Sequence, residues 1–208
     1  KTSRIVKEAQ GRPVMEFGSR RAQGYDSATY GARAAYIGGV AGTATVSAGE
    51  MFDIPVVGTM AHSFVQSFDS EYEAFKAYAL TYPDDCVLLV DTYDTLKSGV
   101  PHAIEIAKEV LEPMGKKLKG IRLDSGDISY LSKRARAMLD VAGLTYVSIS
   151  ASNSLDEYLI RSLLNPFEDD TTKQETEKAL VSLTRLNEIV TELRRLKKKI
   201  SELEDYFD

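Results

Sequence analysis

Short apolar runs that each end in a cluster of polar residues, separated by longer amphipathic stretches, constrain this chain more than any other feature. The runs predict strands at Pro13 to Phe17, Ile54 to Thr59, Cys86 to Asp91, Lys119 to Asp124 and Thr145 to Ser150. The amphipathic stretches predict helices at Asp26 to Ile37, Ser70 to Tyr82, Thr95 to Leu111, Ser129 to Ala142 and Leu155 to Leu164. Strands recurring at intervals of roughly thirty residues have the spacing of βαβ units with a parallel sheet. Runs rich in Val, Ile and Leu along their whole length suit strands covered on both faces. The class is therefore α/β, as a TIM-like barrel or an open doubly wound sheet, and periodicity does not choose between them.

In either architecture the carboxyl ends of parallel strands lie on one side, where ligands bind. The polar clusters fall at those ends: Glu16 to Arg21, Gly58 to Ser63, Asp91 to Asp94, Arg122 to Asp127 and Ser148 to Ser154. A pocket built from them would hold arginines, carboxylates, His62 and small residues at helix N-termini. Backbone N–H groups at helix starts and arginine forks both suit phosphate. Carboxylates suit ribose hydroxyls or Mg²⁺ carried by a diphosphate, with Asp91 and Asp94 the candidate ligands. The chemistry points to a phosphorylated sugar or nucleotide. Each element also has a plainer use: Asp124-Ser125-Gly126-Asp127 makes a good turn and helix cap, and Asp91 and Asp94 can start a helix. Arg20 and Arg21 can be a solvated pair, and His62, like His102, can be structural.

Composition excludes more than it selects. A net charge of -5 and a pI near 5.2 give no electrostatic reason to bind nucleic acid or an anionic membrane. The single cysteine, Cys86, lies in an apolar run and reads as a core residue. No segment approaches the ~18 to 20 apolar residues of a membrane span, and a cytoplasmic protein is expected. Neither a Gly-x-Gly-x-x-Gly fingerprint after a strand nor a Walker-type loop is present.

The motifs Glu16-Phe17-Gly18-Ser19-Arg20-Arg21-Ala22, Gly58-Thr59-Met60-Ala61-His62-Ser63, Asp91-Thr92-Tyr93-Asp94 and Gly120-Ile121-Arg122-Leu123-Asp124-Ser125-Gly126-Asp127 resemble, in order and spacing, those of nicotinate phosphoribosyltransferases. The resemblance covers about residues 1–164 and implies part of the irregular α/β barrel of type II phosphoribosyltransferases. It implies transfer of ribose 5-phosphate from 5-phosphoribosyl 1-diphosphate to nicotinate, coupled to ATP through a phosphohistidine, with Mg²⁺ and a homodimeric assembly. By the same resemblance His62 is the phosphorylated histidine and Asp91 the carboxylate that orients it. Arg122 and Asp124, with Ser125 and Gly126 beside them, hold the pyridine and ribose region. Phe17 stacks on the pyridine, Arg20 binds the phosphate end, and Ser152 and Asn153 help bind the ribose 5-phosphate. Ala44 stands where related nicotinamide-using enzymes resemble one another in carrying aspartate; its lack of charge favours the acid over the amide.

Residues beyond 164 match nothing in that family. A polar linker is expected at 165–178 and a helix at 179–208, where Leu186, Ile189, Leu193, Leu196, Ile200, Leu203 and Phe207 form a heptad seam. The family is about twice as long as this chain, and Lys1 stands where an initiator Met would. A processed or excerpted chain is therefore expected. Two other classes stay open: a catalytically incomplete scaffold with a helical oligomerisation tail, and a related enzyme acting on quinolinate or nicotinamide. His62 argues against the first of those substrates and Ala44 against the second.

Overall fold

The computed structural model describes residues 1–164; the expected linker at 165–178 and heptad helix at 179–208 lie outside the described residues. The Lys1–Leu164 unit is α/β with parallel strands. Strands β1 (Met15–Glu16) and β2 (Gly42–Thr43) pair in parallel, with Met15 opposite Gly42. Strands β3 (Val87–Leu89), β4 (Gly120–Leu123) and β5 (Ser148–Ala151) form a second parallel sheet in that order, with Ile121 facing Leu88 on one side and Ile149 on the other.

The helices in chain order are α1 (Thr2–Glu8), α2 (Tyr25–Ile37), α3 (Val46–Phe52), α4 (His62–Gln66), α5 (Glu71–Thr81), α6 (Val100–Ile106), α7 (Ile128–Val141) and α8 (Glu157–Leu164). Their starts are written in the sequence. Ser70 caps α5 by accepting the Glu73 N–H at 3.2 Å, and Asp127 caps α7 by accepting that of Tyr130 at 3.0 Å. Gly143, in the left-handed region at φ 81°, closes the turn after α7.

Leu88, Leu89, Val90, Ile121 and Leu123 of the three-stranded sheet pack with Phe75, Ile106, Leu111 and Leu139 into the main core. A smaller cluster of Ala32, Ala48 and Ile54 lies under α2 and α3. Two pairs of ions tie the ends of this unit together: Arg4 to Glu157 at 2.6 Å and Arg161 to Glu8 at 2.7 Å.

Two sequence expectations need correction. The run Ile54 to Thr59 makes only a bridge between Val56 and Thr43. Pro55 has no N–H to give a ladder, and its carbonyl is taken by the Thr43 N–H at 3.0 Å. The expected helix from Thr95 to Leu111 is not uniform either. A π-turn at Thr95–Gly99 precedes α6 and another at Ala107–Leu111 follows it. Pro101, which cannot donate, interrupts the regular ladder.

Candidate active site

The ends of β3, β4 and β5 meet at Asp91, Asp124 and Ser152. Asp91 is essentially buried: its Oδ2 accepts the Asp124 N–H at 2.8 Å and the Ser125 hydroxyl at 2.6 Å. Its other oxygen, Oδ1, is buried without a hydrogen-bond partner and lies 3.9 Å from His62 Nε2. Asp124 Oδ2 is closer to that nitrogen, at 3.5 Å. The opposite ring nitrogen, Nδ1, is 3.2 Å from Thr92 Oγ1. Two carboxylate acceptors beside Nε2 suit the neutral tautomer that carries its proton there, which leaves the Nδ1 lone pair for the Thr92 hydroxyl or an incoming electrophile.

Arg122 organises the remainder. Its Nε donates to Ser152 Oγ at 2.8 Å, its Nη1 to Thr59 Oγ1 at 2.8 Å and the Met60 carbonyl at 3.0 Å, and its Nη2 lies 3.0 Å from Asp124 Oδ1. Ser152 Oγ also sits 2.5 Å from Asp124 Oδ1. Burial alone pushes the Asp124 carboxyl up, but the Ser152 hydroxyl, the Arg122 charge and hydrogen bond, and His62 together hold it below the usual range.

The first motif reaches this cluster through Arg21, whose Nη1 donates to Ser154 Oγ at 2.9 Å. Between them, Asn153 occupies the left-handed side of φ at 119°, and its side-chain oxygen accepts the Ser154 N–H at 2.7 Å. A non-glycine residue in such a conformation is strained, and such residues concentrate at functional turns. Hydrogen bonds or close ionic contacts thus link loops from all five polar clusters around His62, Arg122 and Asp124.

Other predicted residues are placed differently. Phe17 follows β1 and is half-buried, Arg20 is exposed in a single 3₁₀ turn (Ser19–Arg21), and Ala44 follows β2 with its N–H on the Glu16 carbonyl at 2.9 Å. Gly126 lies in the turn before α7 at φ 74°. Asp94 caps the π-turn, its Oδ1 accepting the Leu96 and Lys97 N–H groups at 3.1 and 2.9 Å. Among the described residues no three His, Cys, Asp or Glu side chains lie together as a metal site.

Sequence reasoning missed three participants. Thr59 and Thr92 lie inside the motifs but carry no individual signal. Glu16 staples the short first sheet: its Oε2 accepts the Thr43 hydroxyl at 2.5 Å, and its Oε1 accepts the Gly18 N–H at 2.5 Å. A carboxylate at the end of an apolar strand was the available clue. Cys86 is fully buried, and burial pushes its thiol up to about 12, as a core residue requires.

The model of the nicotinate phosphoribosyltransferase (NAPRTase) family matches residues 13–174. The chain is 56% identical over 150 residues to nicotinate phosphoribosyltransferase of Bacillus subtilis, covering 72% of this chain and 30% of that protein. It is 53% identical over 164 residues to nicotinate phosphoribosyltransferase pncB2 of Mycobacterium tuberculosis, covering 79% and 35%. Among solved structures it resembles human nicotinic acid phosphoribosyltransferase, with TM-score 0.64, 29% identity, and 80% and 44% of the two chains covered. It also resembles nicotinate-nucleotide pyrophosphorylase of Pyrococcus furiosus, with TM-score 0.65, 30% identity, and coverage of 77% and 41%. The chain spans about a third of the curated relatives it matches.

Proposed function

We propose, because the chain belongs to the nicotinate phosphoribosyltransferase family, that it supplies the catalytic basin of an enzyme joining nicotinate to 5-phosphoribosyl 1-diphosphate. The products are nicotinate mononucleotide and diphosphate, a step in NAD synthesis. The observation that carries this reading is the joint placement of Asp91, Arg122 and Asp124 at the ends of adjacent parallel strands with His62, the first residue of α4, facing both carboxylates.

In the transfer, the bond from ribose C1 to the diphosphate oxygen breaks and its electron pair leaves with diphosphate. The pyridine nitrogen then gives its lone pair to C1. Such a reaction needs positioning and charge stabilisation more than covalent help from the protein. Arg122 offers a fixed fork whose orientation Thr59, Met60 and Ser152 set. Asp124, kept ionised beside it, suits a ribose hydroxyl. Phe17 stacks on the pyridine, Arg20 receives a phosphate, and Ser125, Gly126, Ser152 and Asn153 provide hydroxyl and backbone donors. Ala44 leaves room for the nicotinate carboxylate without a charge to repel it. Mg²⁺ enters with the diphosphate as part of the substrate.

ATP acts as co-substrate: His62 Nδ1 takes its γ-phosphoryl group, ADP leaves, and water later releases phosphate. Asp91 and Asp124 hold the proton on Nε2. The added negative charge at His62 changes the electrostatics of the basin and converts ATP energy into substrate affinity. We assign the complete enzyme a homodimeric state; large apolar side chains exposed on α2, namely Tyr30, Tyr36 and Ile37, support a covered face there. Among the described residues no helix is long and apolar enough to cross a membrane.

Product formation from nicotinate and phosphoribosyl diphosphate, with and without ATP, tests the reading by chromatography. His62→Asn should abolish the gain from ATP while leaving residual transfer. Full ATP stimulation in that variant would overturn the role of His62.

A further inference from the structure

A second polar cluster lies away from the basin, where α5 meets the π-turn Thr95–Gly99. Glu71, the first residue of α5, has a side chain only 2% exposed. Its Oε2 accepts the Ser98 hydroxyl and lies 3.0 Å from His102 Nδ1. Its Oε1 is buried with no hydrogen-bond partner. The Tyr72 ring packs edge-on to His102 at 6.1 Å between centroids, and its hydroxyl donates to Glu109 at 3.1 Å. Although serine, histidine and a carboxylate are present, this is not a nucleophilic triad. Both Ser98 and Glu71 meet the same ring nitrogen, and the Ser98 proton is given to Glu71.

We propose that Glu71 is a positioning residue for the His62 site, acting through Ser98 and His102. The proposal rests on the reading of His62 as the reactive group. It starts from two rigid pieces. One consists of α4, which begins at His62, packed on α5 through Phe64, whose ring centroid is 5.9 Å from that of Tyr78. The other runs from Val90 to Gly99. A Cβ on Gly99 would fall 1.8 Å from the Val90 carbonyl oxygen, so the π-turn rests directly on the backbone that precedes Asp91. Within this piece the Ser98 and Gly99 N–H groups both donate to the Asp94 carbonyl at 2.9 Å.

Besides the apolar core they share, polar contacts join these pieces at two places among the described residues. At the basin, His62 faces Thr92 at 3.2 Å and Asp91 at 3.9 Å. Behind it, Glu71 on the first piece holds Ser98 on the second and His102 at the start of α6. The His62 contacts themselves are long, and the segment that leads into α4 is held from the other side by Arg122, which donates to Thr59 Oγ1 and the Met60 carbonyl. Glu71 adds a tie behind them: a carboxylate so deeply placed is stable only while its donors stay within reach. Glu71 therefore helps set the distance at which Asp91 and Thr92 address the imidazole. A misplacement of about 1 Å at a reacting group can cost on the order of a hundredfold in rate.

The chain contains two histidines, which makes the test direct. In the full chain labelled with ¹³C-histidine, His102→Gln identifies the His62 ring signal. Ser98→Ala, Glu71→Gln and Ser98→Thr are then compared with wild type, each checked for cooperative unfolding. Ser98→Ala should displace the His62 signal, Ser98→Thr should restore it, and both should fold. The rate of ATP-dependent phosphorylation of His62 should fall roughly tenfold or more in Ser98→Ala with the apparent KM for ATP changed less than about twofold. A His62 signal unmoved in Ser98→Ala and Glu71→Gln overturns the proposal whatever the activity. If His62→Asn leaves ATP coupling intact, the functional reading fails separately. Coupling lost in His62→Asn but untouched in Ser98→Ala defeats the positioning role alone.

Discussion

Arg122 and Asp124 allow the basin to be tested by thermodynamics, independently of catalysis. Their side chains are 13% and 21% exposed and 3.0 Å apart. At an effective dielectric of about 20 two unit charges at that separation attract by roughly 5 kcal/mol. Desolvation offsets much of this, and in Asp124→Asn the amide oxygen still accepts the Ser152 hydroxyl. We expect a coupling of about 1–2 kcal/mol, above the ~0.2–1 kcal/mol of exposed pairs. Arg122→Met alone also removes the bonds to Thr59, Met60 and Ser152, at about 1 kcal/mol each. With the ion pair it should cost about 4–5 kcal/mol and lower Tm by about 8–20 °C for a unit of this size. A double-mutant cycle by urea unfolding of wild type, Arg122→Met, Asp124→Asn and the double variant gives the coupling. A value below about 0.3 kcal/mol would refute the idea that these side chains form one organised network.

Further outcomes follow from the same geometry. The folded Asp124 carboxyl lies below its unfolded value of about 3.9, so its stabilisation is complete above that pH and lost as pH falls through the folded value. Tm measured from pH 7 to 3 should therefore fall less steeply in Asp124→Asn than in wild type. Cys86 should resist a thiol reagent at pH 8 in the folded chain and react within minutes in urea; rapid labelling without denaturant would contradict its place in the core. Ala44→Asp should weaken discrimination in favour of nicotinate over nicotinamide by about tenfold or more in competitive turnover; unchanged discrimination would remove Ala44 from the specificity account. Glu16→Gln should cost about 1–2 kcal/mol, read by urea unfolding, because the short sheet of β1 and β2 depends on its contacts with Thr43 and Gly18; an unchanged midpoint would show that the staple contributes nothing.

What the sequence revealed depends on whether local residues decide the structure. Strands β3 and β4 were legible from their apolar runs around Leu88 and Ile121, β5 only from the alternation of Val147 and Ile149 with polar residues, and α5 and α7 because Ser70 and Asp127 cap them. Strand β2 was not legible, since Gly42-Thr43 has no apolar run and exists through pairing with β1 and the Thr43–Glu16 bond. The same holds for α3 and α4, which are too short to show a period. At the candidate site, residues with unusual chemistry at strand ends stood out: His62, Asp91, Arg122 and Asp124. Thr59, Thr92 and Glu71 did not, because ordinary residue types gain their roles only from what the fold brings beside them.

We propose that loops distant in sequence form one phosphate-receptive basin. Titrating the ¹⁵N-labelled chain with 5-phosphoribosyl 1-diphosphate and Mg²⁺ reads this residue by residue. Amides of Thr59 to His62, Asp91 and Thr92, Asp124 to Gly126 and Ser152 to Ser154 should shift together along one saturation curve. Saturable shifts confined to a single loop, or clustered on a surface that excludes His62 and Arg122, would contradict it.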